Sequence, residues 1–538
     1  MVDGHYQVAM PWKQPRVVLP NNYGSALKRL RSTENRLLRD KELAVQYSQI
    51  IGQHVSKGYI HKVRAEELSQ SYWYLPHFPV LRPDKVTTKC RIVFDASAEY
   101  SNISLNDALH TGPKLQNNLV SVLTRFRRKP VALICDIAEM YLQIGIQETD
   151  RKFLRFLWRN LDQSAEPEIY EFQRVVFGVN CSPFLAQYVT QQQARENQQA
   201  FPKAAEAIQE STYMDDTMDS CDNTELTIDL YHQLTDLLKS AGMYPRKWLS
   251  NSADVMRMIP QEDRASKFIL GQEEFPTVKT LGVTWEPLED HFTFHVTKPE
   301  EATVTKRYFL RKTASLFDPL GFLGPFIIRA KILFQQMWLD GYGWDDPLSQ
   351  ELTEQAVRWF NDLPQLIDVK VPRCLRTTAA GEGIDTQLHV FVDASEAAYG
   401  AVSYLRMAYQ DGSVSCRMVV SKCKVAPLAA TSIPRLELMA AVCGVEMVKA
   451  IAATLNVSLA SVTFWSDSSD VLHWIRGNSR KYKPFVANRT ALIQECTSPS
   501  QWRHVPTKAN PADHLTRRLY PGQLGTNSLW WTGPDFCC

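Results

Sequence analysis

Asp215 and Asp216 stand side by side in STYMDDTMDS, with Asp219 close behind. Adjacent carboxylates repel, so a chain that keeps them needs solvent, a basic neighbour or a divalent cation to offset the repulsion. The doublet recurs at Asp345 and Asp346 in YGWDDP, before a proline and outside any apolar run, so a bare pair assigns nothing. The first pair differs in its company. About eighty residues upstream, VALICDI reads as a buried strand ending on Asp136. A carboxylate at a strand end and a pair in a turn between strand-length segments could together hold two Mg²⁺ ions on oxygen ligands. One ion would lower the pKa of an attacking hydroxyl while the other neutralises a leaving pyrophosphate. The plain alternative for Asp136 is a helix cap or a solvating acid at a strand edge.

A second set of acids lies downstream. QLHVFVDAS alternates as a half-buried strand does and delivers Asp393, and VTFWSDSSD does the same for Asp467. Between them IPRLELMAAVCGVEMVKAIAATL has a helical pattern, with Glu437 on the face shared by Ala441 and Gly444. Asp513 follows in RHVPTKANPADHLTR, downstream of His504. Each acid alone reads as a surface group; what asks for another explanation is their succession along separate elements.

The elements that must position these residues belong to a long chain. Its 538 residues allow about three or four domains. With 44% hydrophobic and 22% charged residues it reads as soluble and globular. No apolar run is long enough for a bilayer, since GFLGPFIIRAKILF carries Arg329 and Lys331. The start, MVDGHYQVAM, lacks the basic and apolar regions of a secretory signal, so cytosolic or nuclear residence is expected. Eleven cysteines without a CxxC pair give neither a zinc cluster nor a disulfide framework and read as buried small hydrophobes. Residues 25–70 read as charged amphipathic helix. DNTELTIDLYHQLTDLLKSAG reads as a helix with an Asp222/Glu225 capping box and a core stripe of Leu230, Leu234, Leu237, Leu238 and Ala241. The net charge of +2 announces no partner. Local basic clusters (Arg125, Arg127, Arg128 and Lys129; Arg151, Lys152, Arg155 and Arg159; Arg476, Arg480, Lys481 and Lys483) alternate with Phe126, Phe153, Phe156, Trp158, Trp474 and Tyr482. Such a pattern suits a nucleic-acid groove or a solvated face equally.

KCRIVFDAS, CDIAEMYLQI, FGVNCSPF, TYMDD, YPRKWLSN and TLGVTWEP follow one another in that order. In order and wording they resemble the reverse-transcriptase blocks of the Pao/BEL class of long-terminal-repeat retrotransposons. The resemblance implies that Asp136 and Asp215 are the main metal ligands of a polymerase, with Asp216 the lesser one. It makes Tyr141 a steric gate beneath the sugar, against core packing as the alternative. Lys89 and Arg91 would grip the incoming triphosphate, Phe177 and Gly178 would border nucleotide and template, and Lys247 would protonate the leaving pyrophosphate. Gly282 lies in the primer-grip block; a strand bulge is the other reading. Asp393, Glu437, Asp467 and Asp513 resemble the Asp-Glu-Asp-Asp set of ribonuclease H, with two Mg²⁺ ions activating water. His504 matches the mobile histidine that helps product release, or is an ordinary loop imidazole.

The fold so implied is α/β and α+β multidomain: a right-hand polymerase of fingers, palm and thumb followed by a ribonuclease H-like α/β domain. A charged helical segment over 1–75 leads into fingers and palm over 76–290, thumb and connection over 291–378, the ribonuclease H-like domain over 379–520, and a tail over 521–538. The implied activity is RNA-directed DNA polymerisation with cleavage of the RNA strand of the hybrid, using Mg²⁺, two ions per site, with Mn²⁺ as a substitute. RNA template, DNA primer, RNA–DNA hybrid and deoxynucleoside triphosphates are the expected partners, together with other polyprotein products and a homodimer, and no membrane. The expected location is cytoplasmic, in virus-like particles, with access to the nucleus. A silent remnant that still binds nucleic acid is the alternative, and a processing aspartic peptidase a further one. RKTASLFDPLGFLGPF resembles the stretch labelled a Pao-type peptidase, yet the sequence contains no Asp-Ser/Thr-Gly tripeptide on which a dyad could sit. It contains no zinc knuckle or His-His-Cys-Cys integrase module either, so a piece of a longer polyprotein is expected.

Overall fold

A computed structural model of the chain describes residues 1–15, 17–64, 73–81, 90–265, 278–296, 303–377, 383–517 and 519–537. The chain divides into two units, one of residues 1–116, 136–215 and 230–246, the other of residues 117–135, 216–229 and 247–538. Strands form over Val131–Ile137, Thr212–Tyr213, Asp216–Cys221 and Pro245–Ser250.

In the first unit the charged helical stretch expected over 25–70 forms two helices, Tyr23–Leu37 and Lys41–Ser56, and its residues 65–70 lie outside the described ones. Asp40 separates them by capping the second, its carboxylate accepting from the Leu43 N–H at 3.1 Å. The charges of this region are partly internal. Glu34 is fully buried and receives both nitrogens of the Arg159 fork at 2.8 and 2.7 Å. Strands His77–Leu81 and Cys90–Phe94 pair antiparallel with Val80 opposite Arg91. Behind them, Arg155 in its strand pairs with Glu171 at 2.7 Å. The second basic cluster is therefore largely architectural in Arg155 and Arg159, and Phe153, Phe156 and Trp158 are buried core. The stripe Leu230, Leu234, Leu237, Leu238 and Ala241 is buried as its spacing predicts.

In the second unit, the capping residue of that same helix is Asn223, whose side chain accepts from the Leu226 N–H at 2.9 Å. Asp222 instead pairs with Lys129 at 2.7 Å and Arg376 at 2.8 Å, so the Asp222/Glu225 box is corrected. Gly282 is no bulge. Thr280 pairs with Val283, leaving Leu281 and Gly282 as a two-residue hairpin turn with both φ positive, at 51° and 82°.

The C-terminal part carries a five-stranded sheet in the order Val414–Val425, Ala398–Tyr409, Gly383–Ala394, Thr463–Ser466, Trp502–His504. The first three strands are antiparallel, and the last two join in parallel. Helix Ile433–Ala452 lies on this sheet through a glycine: a Cβ on Gly444 would stand 2.9 Å from Val392 Cγ1 and 3.2 Å from Val390 Cγ1. That close approach sets the height of Glu437, two turns earlier on the helix.

One buried arginine ties another segment to this sheet, and a second binds segments beside it. Arg127, 1% exposed, donates to the carbonyls of Val419 at 2.7 Å, Met418 at 2.9 Å and Arg373 at 3.1 Å. Burial pushes its pKa down to about 9. Arg373 grips Asp290 at 2.6 and 2.8 Å and donates to the carbonyls of Phe126, Lys129 and Pro130. Arg125 and Phe126 are also buried, so the first basic cluster is mostly core rather than a nucleic-acid face. Asp318, in the stretch likened to a peptidase, turns inward as well: its carboxylate accepts from the Phe322 and Leu323 N–H groups at 3.0 and 2.7 Å, leading into helix Gly324–Leu339. Trp530 is buried and donates to the Phe322 carbonyl at 2.9 Å. The ten described cysteines are free and nine of them are buried. Among the described residues no helix is long and apolar enough to cross a membrane.

Candidate functional site

The strand Val131–Ile137 buries Ala132, Leu133, Ile134, Cys135 and Ile137 and leaves its last acid, Asp136, 18% exposed. The next backbone N–H, of Ile137, donates to the carbonyl of Asp215 at 2.8 Å, so the strand end and the doublet's turn meet through the main chain. Met214 before the doublet has φ of 59°, a left-handed conformation costly for a side chain of its size. Gln187 steadies that turn by donating to the Met214 carbonyl at 3.1 Å. Arg246 reaches Asp136 with its Nε 3.3 Å from Oδ1. Sequence reasoning passed over this arginine, although it stands in YPRKWLSN one residue before Lys247.

Tyr141 sits in a single 3₁₀ turn, Met140–Gln143, and its ring stacks on Phe177 with centroids 4.3 Å apart. Burial, with the charge of Asp215 adding to it, pushes the Tyr141 hydroxyl up to about 12. Tyr141 is thus both packed and within electrostatic reach of the doublet. Phe177 is 48% exposed, which opens one side of the stack to solvent. Gly178 has φ of 106°, and a Cβ there would fall 1.8 Å from the Phe94 carbonyl oxygen, so only glycine fits. Asp136 and Asp215 thus come from segments joined through the main chain, and Tyr141 and Phe177 from segments joined through their rings. Arg91 is exposed on the Cys90–Phe94 strand. Lys247 adopts a left-handed φ of 55°. Lys89 lies outside the described residues. The other doublet is explained locally: Arg307 clasps Asp345 at 2.7 and 2.8 Å, and Asp346 accepts from the Gly343 N–H at 2.7 Å.

The downstream acids converge at one end of the five-stranded sheet. Val392 pairs in parallel with Ser466, so Asp393 and Asp467 leave adjacent strands at the same level. Asn510 donates to the Val392 carbonyl at 3.0 Å and anchors the turn Pro511–Asp513 beside them. Thr516 donates to Asp393 at 2.6 Å, and Arg517 pairs with Asp513 at 2.6 Å. Burial foremost, then the charges of Asp467, Asp513 and Glu437, raise Asp393 to about 7. Glu437 rises to about 6, again mainly by burial, against a hydrogen bond from Ser468. Asp513 is raised by burial and by Asp467, with Arg517 opposing. Two carboxylate oxygens, Glu437 Oε2 and Asp467 Oδ1, are buried without a hydrogen-bond partner. Orphaned anionic oxygens among mutually repelling acids are costly unless a cation completes them, so this donor set fits divalent metal. His504 is exposed on the edge strand, in register with Ser466.

Residues 85–247 match the family model for reverse transcriptase (RNA-dependent DNA polymerase), and residues 305–468 match that for the Pao retrotransposon-like RNaseH-like domain. Along the chain a reverse transcriptase match is thus followed by a Pao retrotransposon-like RNaseH-like match. The reverse transcriptase match takes in every candidate from Lys89 to Lys247, and the RNaseH-like match includes Asp393, Glu437 and Asp467 but ends before His504 and Asp513. That second match also covers the stretch likened to a peptidase, and describes it as RNaseH-like.

Among solved structures the fold resembles the foamy viral protease-reverse transcriptase dRH in complex with double-stranded DNA, at TM-score 0.54 and 15% identity, over 86% of this chain and 69% of that one. The same foamy viral enzyme with an RNA/DNA hybrid gives 0.55 and 13%, over 92% of this chain and 55% of that one. With double-stranded DNA it gives 0.50 and 14%, over 87% and 83%. At these identities the likeness is one of fold: mixed α/β, reverse-transcriptase-like, with the RNaseH-like domain towards the C-terminus. No curated protein matches the sequence.

Proposed function

We propose that this chain is an RNA-directed DNA polymerase that also cleaves the RNA strand of the hybrid it makes. The observation that carries the reading is the pairing, in one chain, of the reverse transcriptase match around Asp136 and Asp215 with a downstream four-acid set in which Asp393 is buried and two carboxylate oxygens, of Glu437 and Asp467, are orphaned. When bound, a pair of Mg²⁺ ions, or Mn²⁺ in their place, would supply an oxygen nucleophile of lowered pKa and neutralise the leaving oxygen at each set.

Asp136 and Asp215, with Asp216 beside them, offer the oxygens for the polymerase pair. Arg246 holds the Asp136 carboxylate in place by charge-assisted hydrogen bonding. The Tyr141 ring, supported by Phe177, lies where overlap with a ribose 2′-hydroxyl favours deoxynucleoside triphosphates. Gly178 lets nucleotide and template approach the backbone, Arg91 and Lys89 hold the triphosphate, and Lys247 gives a proton to the leaving pyrophosphate. In the second site Asp393, Glu437, Asp467 and Asp513 offer the ligands, and His504 assists departure of the cut strand. The third basic cluster, Arg476, Arg480, Lys481 and Lys483, is exposed and suits the backbone of an RNA–DNA hybrid. Foamy viral relatives in fold were solved with double-stranded DNA and with RNA/DNA hybrid, which supports nucleic acid as the ligand.

The test is a crossed pair of variants in Mg²⁺. Asp215→Asn is expected to abolish primer extension on an RNA template and spare hybrid cleavage, and Asp467→Asn to do the reverse. Asp345→Asn with Asp346→Asn is expected to leave extension nearly intact. Loss of both activities in either folded single variant, or a thousandfold loss in the double control, would defeat the two-site reading.

A further inference from the structure

Glu286 closes strand Val283–Glu286 and His291 opens strand His291–Thr293, and the two residues face each other directly across the hairpin. Cross-strand partners bring their side chains to one face, and Glu289, in the connecting turn, joins them. Among the described residues these are the one set of three His, Cys, Asp or Glu side chains whose donor atoms, one from each, lie within 4.8 Å of one another. The remaining acid of the turn is otherwise engaged: Asp290 is held by Arg373 and by the Trp285 indole N–H at 3.0 Å. With Asp290 fastened, and itself at a φ of 52°, the turn leaves Glu289 facing His291.

The imidazole supplies the second, independent observation. His291 is only 5% exposed, and its Nε2 makes no hydrogen bond although Glu286 Oε2 stands 3.0 Å away. Its Nδ1 lies 3.4 Å from Glu289 Oε2. A buried ring nitrogen without a hydrogen bond, aimed at a carboxylate oxygen, is the arrangement that a metal ion resolves. The Glu289 carboxylate is 55% exposed, so an ion has a way in. Its present cation is Lys370, 2.9 Å from Oε2, a neighbour that would compete with an incoming ion.

We propose that Glu286, Glu289 and His291 form a transition-metal site, separate from the two carboxylate sets, that takes Zn²⁺ or a similar ion and clips the hairpin. One imidazole nitrogen with two carboxylate oxygens is a donor set for Zn²⁺, Co²⁺ or Mn²⁺; the nitrogen disfavours Mg²⁺ and Ca²⁺, which prefer oxygen. Bonds of about 2.0–2.2 Å require donors somewhat closer than these, a movement that flexible glutamates on a hairpin can make. A water would complete the tetrahedron.

The experiment titrates Zn²⁺ into the full chain by calorimetry with Mg²⁺ in large excess, so that the oxygen-only sets are filled, and follows Co²⁺ by its visible absorption in parallel. One Zn²⁺ site is expected, with a Co²⁺ spectrum of tetrahedral intensity. His291→Asn and Glu289→Gln should each weaken it at least tenfold. Glu289 is exposed, so its variant folds even where the His291 change disturbs the sheet. Lys370→Met should tighten binding severalfold, a direction that a merely structural role for the lysine would not produce. Unchanged Zn²⁺ affinity in Glu289→Gln, or no gain in Lys370→Met, overturns the assignment. Hybrid cleavage and extension in Mg²⁺ are read separately, so failure here leaves the polymerase reading as it stands.

Discussion

Tyr141 carries the sharpest test at the residue scale, because two physical roles predict different outcomes for one substitution. As a gate, its ring discriminates by repulsion alone, without adding attraction to the favoured sugar. Tyr141→Val should then raise ribonucleotide incorporation relative to deoxynucleotide by at least about tenfold, roughly 1.4 kcal/mol of differential transition-state energy. As core, the same change removes a stacked aromatic and costs about 3 kcal/mol of stability, with both substrates losing equally. Tyr141 is itself buried yet stacks on half-exposed Phe177, an arrangement that serves either role. Single-nucleotide insertion kinetics beside a melting curve separate the two: an unchanged sugar ratio with a lowered melting point retires the gate. Residues of this kind were legible because their signals are local. VALICDI shows its apolar run and its final acid in seven letters. Arg246 was not legible, since an arginine's partner more than a hundred residues away leaves no mark on its own neighbourhood.

Elements show the same division. The core stripe of the Thr224–Lys239 helix and the alternation of QLHVFVDAS are periodic, and periodicity is a property of short windows. Asn223 displaced Asp222 as cap because Lys129 and Arg376 claim the aspartate, a competition set by tertiary structure. The hairpin strand His77–Leu81 hides a titratable device of similar origin. His77 is buried, its Nε2 donating to the Leu157 carbonyl at 2.8 Å while its Nδ1 meets the Tyr47 hydroxyl, so both nitrogens of the neutral ring are used. Burial holds its pKa down to about 4. In the unfolded chain an ordinary histidine titrates near 6.5. Between those values the unfolded state binds a proton that the folded state refuses, so stability falls as pH drops from about 6.5 towards 4, by on the order of 3 kcal/mol. In His77→Phe that component is removed. Hydrogen exchange of the His77–Leu81 amides at pH 7 and pH 4.5 should show a smaller acid-induced loss in the variant. Equal losses in both proteins would mean that the histidine does not carry the effect.

At the scale of the whole molecule, basic residues that composition offers as nucleic-acid contacts turn out to be internal bolts. Arg127 comes from the short helix Leu119–Arg127, yet its guanidinium is spent on carbonyls of Met418 and Val419 in strand Val414–Val425 and of Arg373. Nothing in RFRRKP announces this, because the partners stand nearly three hundred residues downstream and are backbone atoms that no motif records. The consequence is that the RNaseH-like sheet depends on a segment preceding Asp136 in the chain. Replacing Arg127 by Met keeps the apolar stem over Phe322, whose ring the guanidinium now covers at 4.8 Å. It strips the guanidinium from four carbonyls, those of Met418, Val419, Arg373 and Pro372, and groups so orphaned in the interior cost about 1–3 kcal/mol each where water cannot reach them. A loss on the order of 3–5 kcal/mol is therefore expected for Arg127→Met, in the range seen when one partner of a buried charged network is removed. A methionine could instead recover part of this by packing, as apolar replacements of buried charges sometimes do, and the sign of the result decides between the two. The measurement is hydrogen exchange along Val414–Val425 together with thermal unfolding of the full chain. Faster exchange at Val419 and Val420 with a lower melting temperature is expected. Unchanged protection there, with stability equal to or above that of the parent, would show that the sheet stands without this arginine and that the ribonuclease H-like region folds on its own strands.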